Sequence, residues 1–277
     1  KRFATHKGFS GLVRAWWKKP WVRWGVGLVF GGAALGFVAL VIFAAWVSKD
    51  LPDPNALTTR QVAQSTKIFD RTGTILLYEI HGDENRTLIP IDQIPPVLRQ
   101  ATVAIEDRKF YDHHGVDWVG LVRAVVRNAL RGQGPRGTST LTQQLVRNSI
   151  ISNEGGYLRK LKEMILALQI ERKFTKDQIL QMYLNEIPYG STVYGVESAA
   201  QTYFGKPTRD LTLDEAALLA SIPQAPDRLS PYGTGVRGDN RPQLIQRQRL
   251  VIEKMAEQGF ISPEQAEEAK KIETLAK

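Results

Sequence analysis

The chain is 277 residues long, contains no cysteine and carries a formal charge of +9. Its length allows one large or two small domains with a proper core, and the absence of thiols excludes disulfides and thiolate metal sites. Residues 1–24 hold Lys1, Arg2, Lys7, Arg14, Lys18, Lys19 and Arg23 and no acid, so most of the excess charge is local, the rest is nearly balanced, and a nucleic-acid partner is not indicated.

The uncharged run GVGLVFGGAALGFVALVIFAAWV, residues 25–47, would span roughly 34 Å as a helix, enough to cross a bilayer. It is longer than a signal-peptide core, and Trp16, Trp17, Trp21 and Trp24 beside it suit a membrane interface. The basic tail (1–24) places the N-terminus in the cytoplasm and the remainder outside, as a single-pass protein of the cytoplasmic membrane. Gly27/Gly31 and Gly32/Gly36 match small-xxx-small spacing, which glycine-rich spans also produce without helix pairing.

Residues 48–64, with Pro52 and Pro54, read as a juxtamembrane linker. STKIFDRTGTILLYEI follows, with β-type residues on either side of a turn at Asp70–Gly73, and predicts a short hairpin. From Pro95 the pattern is helical. Val97, Ala101, Ala104 and Ile105 share one face; Leu121, Val122, Val125, Val126, Ala129 and Leu130 share another after a cap at Asp117; Leu158, Leu161, Ile165 and Leu168 repeat the spacing. Thr175–Gln178 and Thr212–Glu215 are capping boxes, and two last helices lie around Gly259 and Pro263. The expected fold is mainly α with a small β-hairpin behind one transmembrane helix.

Three stretches concentrate chemistry. AIEDRKFYDHHGVD (104–117) places Glu106 near the end of an apolar helix, where the dipole and burial would raise its pKa while Arg108 and Lys109 would lower it. A carboxyl group able to exchange a proton suits general acid–base work; a plain polar connection is the alternative. His113 and His114 lack metal-ligand spacing. GTSTLTQQLVRN (137–148) packs Ser139, Thr140, Thr142, Gln143 and Gln144 together; a helix cap at Ser139 or Thr140 accounts for one or two of these and leaves both glutamines unexplained. In YLRKLKEMILALQIERKF (157–174), Arg159, Lys160 and Glu163 crowd the side opposite the leucines, either as a solvated ion-paired face or as a fork for phosphate oxygens. No GxxxxGK[ST] loop, no GxGxxG after a strand, and no Asp-x-Asp or Ser-x-x-Lys motif marks a nucleotide cofactor or a covalent nucleophile.

In this order the stretches resemble the peptidoglycan glycosyltransferases of family 51, the module of class A penicillin-binding proteins and monofunctional glycosyltransferases. EDRKFYDHHGVD, GTSTLTQQLVRN, RKLKE (159–163), KDQILQMYLNEIPYG (176–190) and, more loosely, RQRLVIEKM (247–255) look like the family's five motifs over roughly residues 65–260. The resemblance implies a lysozyme-like domain (65–260) that polymerises lipid II with inversion, using the lipid-linked growing glycan as donor. It implies Glu106 as the catalytic base and Glu163 as a second acidic residue, a candidate holder of a divalent cation, Mg or Mn. It implies Asp107, Phe110 and His113 as residues shaping the site, and Ser139, Thr140, Gln143, Gln144, Arg147 and Asn148 as lining the donor cleft. Arg159 and Lys160 would bind pyrophosphate. Residues 261–277 would form a helix leading towards a transpeptidase domain, within a cell-wall synthesis complex. The helix 118–130, with Arg123, Arg127 and Arg131 aligned, reads equally as a membrane-dipping jaw or an amphipathic core helix. Thr138, Arg147, Pro188-Tyr189 and Gln248 depart from the family pattern. A membrane-anchored glycan-cleaving enzyme and an inactive scaffold are the rival readings; the cations argue for synthesis, because cleavage needs an acid at the glycosidic oxygen.

Overall fold

The computed structural model describes residues 19–49, 51, 66–72, 76–80, 85–130, 132, 139–151, 156–231, 240–272 and 274, in two units, residues 1–51 and 52–277. The first unit holds α1 (Pro20–Ser48), 29 residues with no acid in its first turn. It begins earlier than the uncharged run because proline at the first helical position loses no hydrogen bond. Its Pro20–Phe43 stretch has a mean hydropathy of 2.5 and is long and apolar enough to cross a membrane, as 25–47 predicts. Trp21 and Trp24 are exposed. Trp16, Trp17, the tail before residue 19 and linker residues 52–64 lie outside the described residues.

The second unit is mainly helical. The predicted hairpin forms from β1 (Thr66–Phe69) and β2 (Leu76–Ile80), antiparallel with Thr66 opposite Ile80. The helices are α2 (Pro96–Glu106), α3 (Trp118–Leu130), α4 (Leu141–Ser149), α5 (Gly156–Lys173), α6 (Lys176–Glu186), α7 (Val196–Phe204), α8 (Leu213–Ser221), α9 (Pro226–Leu229), α10 (Arg241–Glu257) and α11 (Pro263–Ala269). Local chemistry sets their starts. Asp117 Oδ1 accepts from Gly120 N at 2.9 Å, and Thr175 and Gln178 form the complete capping box that their spacing predicts. At α8 the Glu215 carboxylate reaches back to Thr212 N at 2.9 Å.

A second sheet, in the order β3-β5-β4 from β3 (Asn85–Arg86), β4 (Pro188–Gly190) and β5 (Val193–Tyr194), fastens the entry of the domain to the end of α6. Arg86 is buried, ion-paired with Glu186 and 5.0 Å from the Tyr194 ring centre. Asn185 brackets Ile89, accepting from its N–H at 3.1 Å and donating to its carbonyl at 2.8 Å. These contacts fix the direction in which α2 leaves the sheet.

One hydrophobic cluster joins α2, α8, α10 and α11 through Ala101, Ala104, Ala217, Ala220, Val251, Ile252, Met255, Ala266 and Ala269, with Val97 and Ile105 against it. The expected α2 face is therefore the core face. Four of the residues on α2 and α8 are alanines, which let the helices approach closely and leave no slack for larger side chains.

Two expected faces are turned differently. On α3 the buried residues are Ala124 and Asn128, while Val122, Val125 and Val126 are 63%, 47% and 54% exposed. The core-helix reading is therefore wrong: α3 meets the domain through its small and polar residues and leaves its apolar stripe outside. On α5 the buried residues are Glu163, Leu166, Ala167 and Ile170, and Leu158 is half exposed. That i, i+3, i+4, i+7 face includes the glutamate, so the leucine spacing marks a second, partly covered side.

Ala217 is fully buried in this cluster. Ala217→Leu should cost about 1–3 kcal/mol by overpacking, read as a lower melting temperature in detergent; an unchanged melt would show that the helices do not pack this tightly.

Candidate active site

The site is built around α4. Thr140 starts the helix: its Oγ1 accepts from Gln143 N at 3.2 Å and donates to the Gly115 carbonyl at 2.7 Å. Gly115 has φ +86°, and a Cβ there would meet the Ala167 backbone at 2.8 Å, so glycine alone lets this loop press on α5. The Asp107 carboxylate, just past the end of α2, accepts from Leu141 N at 3.0 Å and lies 2.9 Å from His113 Nε2. One acid thus caps α4 and orients the histidine. His114 is exposed, so the two adjacent histidines part company. Phe110 is fully buried, in edge contact with Tyr111 and His113 and with Lys176 Nζ 4.5 Å from its ring centre.

Leu141 and Leu145 turn one side of α4 into the core, and the two glutamines between them face different neighbours. Gln144 Nε2 donates to Glu106 Oε2 at 3.0 Å, and Gln144 Oε1 accepts from the Tyr183 hydroxyl at 3.2 Å. The other Glu106 oxygen lies 3.4 Å from Arg247 Nη2, and Arg247 Nε donates to the Ser221 carbonyl at 3.0 Å. The cation bonded to Glu106 therefore comes from α10, rather than from the neighbouring Arg108 or Lys109. Burial, and then the Glu106 charge, push the Tyr183 and Tyr189 hydroxyls well above the usual tyrosine range, so both stay neutral.

Gln143 faces the other way. Its Oε1 accepts from Lys160 Nζ at 2.7 Å, and the same ammonium donates to Ser139 Oγ at 2.8 Å and Glu163 Oε2 at 3.1 Å. All three lysine donors are in use. Glu163 is almost fully buried and also pairs with Arg159 Nε at 3.5 Å. Burial lowers the Lys160 pKa; Glu163 opposes this, and the charges of Arg147 and Arg159 add to the lowering. The Arg147 charge also acts on Tyr183, so it is felt on both sides of α4. Asn148 follows it, partly exposed, at the end of α4.

The structure thus gathers Glu106, Gln144, Gln143, Ser139, Arg147, Lys160, Arg159 and Glu163 along α4. It uses Thr140, Asp107 and His113 to hold that helix and its approach, and packs Phe110 inside. Sequence reasoning missed Arg247 and Tyr183. Each interrupts an apolar stripe, Arg247 between Leu244 and Val251 and Tyr183 beside Ile179 and Leu180, and that interruption was the available signal. It also missed Glu171, which ties Thr142 Oγ1 (2.6 Å) to Lys176 (2.8 Å) and so locks α4 to α5 and α6. Gln248, one of the departures from the family pattern, is buried and structural, donating to the Asp214 carbonyl at 2.8 Å and Thr274 Oγ1 at 2.7 Å. Thr138 lies outside the described residues.

Among the described residues no three acidic or histidine side chains come together in a way that could hold a metal ion. Glu163 is a single carboxylate already shared by two cations, whereas a divalent ion needs several oxygen ligands. These residues do not fit a divalent cation held by protein groups alone.

The helical domain thus holds an acid on one side of α4 and a cation cluster on another. A family model described as Transglycosylase matches residues 73–256, and the chain belongs to that family. Penicillin-binding protein 1A of Aquifex aeolicus (strain VF5) is 44% identical over 233 residues, 84% of this chain and 31% of the relative. Penicillin-binding protein 1A of Escherichia coli (strain K12) is 38% identical over 225 residues, 81% of this chain and 26% of that protein. The chain thus spans about a third of the length of the curated relatives it matches. Among solved structures, penicillin-binding protein 1A from Haemophilus influenzae is 24% identical with a TM-score of 0.43, over 76% of this chain and 21% of that one.

Because the Lys160 pKa lies below the ordinary 10.5, its charge should be lost first as pH rises, while exposed lysines remain protonated. An NMR titration of selectively labelled lysine checks this: a Lys160 midpoint at or above those of the exposed lysines would contradict the burial of the cluster.

Proposed function

We propose that this domain is a peptidoglycan glycosyltransferase that joins lipid II into β-1,4 glycan strands with inversion and release of undecaprenyl pyrophosphate. The observation that carries this reading is the division across α4: Gln144 holds the Glu106 carboxylate, while Gln143 holds Lys160 beside Arg159 and Glu163. Glu106 takes the proton from the acceptor 4-hydroxyl as that oxygen bonds to the anomeric carbon of the donor. The carbon–oxygen bond to pyrophosphate breaks with its electron pair leaving on the diphosphate. A positioned base is worth about 10²–10⁴-fold, and preorganised cations supply the rest by stabilising the leaving group. Lys160 meets the diphosphate by exchanging one of its present partners for a phosphate oxygen, with its ammonium already in place. A glycan-cleaving enzyme of lysozyme-like fold would need no such cluster.

The same reading anchors the protein in the cytoplasmic membrane through α1, with its N-terminus inside, the lysozyme-like domain outside, and a place in a cell-wall synthesis complex. A lipid-linked substrate keeps the reaction at the bilayer. The exposed apolar stripe of α3, continued by Trp118 and Val119, suits contact with the membrane surface.

Glu106→Gln should abolish lipid II polymerisation in detergent while leaving the fold intact by circular dichroism. Equal polymer from both proteins would remove Glu106 from the base role, and no polymer from the wild type would remove the function. The native chain has no cysteine, so a nitroxide on Val122→Cys in proteoliposomes reports α3 alone. It should relax with oxygen more than with a water-soluble nickel complex, the reverse of a label on Arg123→Cys; water-like relaxation at both positions would place α3 away from the bilayer.

A further inference from the structure

A cavity of about 260 Å³ lies on one flank of α2. Pro96, Arg99, Gln100 and Val103 line it, following the i, i+3, i+4, i+7 spacing of a single helix face. Tyr111, from the loop after α2, and Phe260, from the turn between α10 and α11, complete the lining. None of these six residues belongs to the cluster gathered along α4.

Arg99 is the one charged residue among the described residues of this lining. Its Nε is buried and has no hydrogen-bond partner among them. A buried N–H without an acceptor costs free energy that a bound acceptor would restore. The guanidinium shares the cavity with the Tyr111 hydroxyl: burial and Asp177 raise the pKa of that hydroxyl, and the Arg99 charge lowers it. Asp177 Oδ1 stands 3.5 Å from the same oxygen, outside the lining.

This lining selects among ligands. An arginine Nε–H and the N–H beside it meet the two oxygens of a carboxylate in parallel. A single cation balances a monoanion and leaves a phosphate dianion half neutralised. Pro96, Val103 and Phe260 add apolar wall, and the Tyr111 and Phe260 rings offer faces and edges to another ring. One amide, Gln100, is too little for the many hydroxyls of a sugar. The volume lies below the roughly 300–1,000 Å³ of sites for drug-sized molecules, so the occupant is about one ring with its acid.

We infer that this cavity binds a small monocarboxylate on an aromatic or aliphatic stem, with the acid held by Arg99 and the stem against Val103, Tyr111 and Phe260. The inference is independent of the reaction assigned to Glu106. The same chemistry is offered by a free aromatic acid and by a peptide chain ending in an aromatic residue.

The test is saturation-transfer NMR on the full chain in detergent, with protein-free micelles subtracted, using phenylacetate, neutral phenylacetamide and the peptide Gly-Gly-Phe with a free or an amidated C-terminus. The wild type should prefer a free acid to its matched amide roughly tenfold, as a charge-assisted fork provides. Preference within the phenylacetate pair alone identifies a free acid as the ligand, and preference within the peptide pair identifies a chain terminus. Arg99→Gln should lose the preference and still bind the amides, with its fold checked by circular dichroism. Glu106→Gln should keep the preference in full. Equal binding of acid and amide in both wild-type pairs would overturn the site whatever the variants do. A preference that survives in Arg99→Gln, or one that changes in Glu106→Gln, would overturn it too, since the acid would then bind elsewhere.

Discussion

The site depends on the register of one short helix. Consecutive residues on an α-helix point about 100° apart, so Gln143 and Gln144 cannot face the same neighbour. One accepts from Lys160 and the other donates to Glu106. A slip of α4 by one residue would bring Thr142 to Lys160 or Leu145 to Glu106, and one of the two charged groups would lose its amide partner. That explains why so much of the surrounding chemistry is spent on fixing α4: the Thr140 cap, the Asp107 carboxylate on Leu141 N, and the Thr142–Glu171 bond each restrain its position from a different side.

Burial makes these restraints costly to break. Glu163 sits where charge is poorly solvated and is tolerable because its partners compensate for lost water, whereas Lys160 is half-buried with 35% of its side chain exposed. Removing its cations leaves Glu163 with the desolvation penalty uncompensated, so the cluster behaves as a unit rather than as a sum of ion pairs. Glu106 is held in the same manner from both sides, by an amide on α4 and a guanidinium on α10. Arg247 reaches it because α2, α8 and α10 pack on alanines, which bring the backbone of α10 near the end of α2. The packing of the core is in this sense part of the site.

The outward-facing apolar stripe of α3 fits the same economy of contacts. A domain at a lipid surface would have a second apolar solvent available, and a helix whose buried side chains among the described residues are Ala124 and Asn128 can present its valines to it. The sequence pattern of such a helix is identical to that of a core helix, since both put apolar residues on one side.

The sequence by itself determined what local chemistry decides. The apolar run of α1, the hairpin around Asp70, the caps at Asp117 and Thr175, and the core face of α2 follow from hydropathy, turn residues and side-chain spacing within a few residues of each other. The motifs also carried Glu106, Glu163 and the α4 polar cluster into view by resemblance. Only the tertiary structure decided which side of α3 and α5 is buried, that Phe110 is spent on packing, that Thr140 also bonds to Gly115, and that the cation on Glu106 is Arg247. Those outcomes depend on contacts across 25 to 141 residues of chain, and periodicity along a segment cannot say which of two available faces a distant helix will cover.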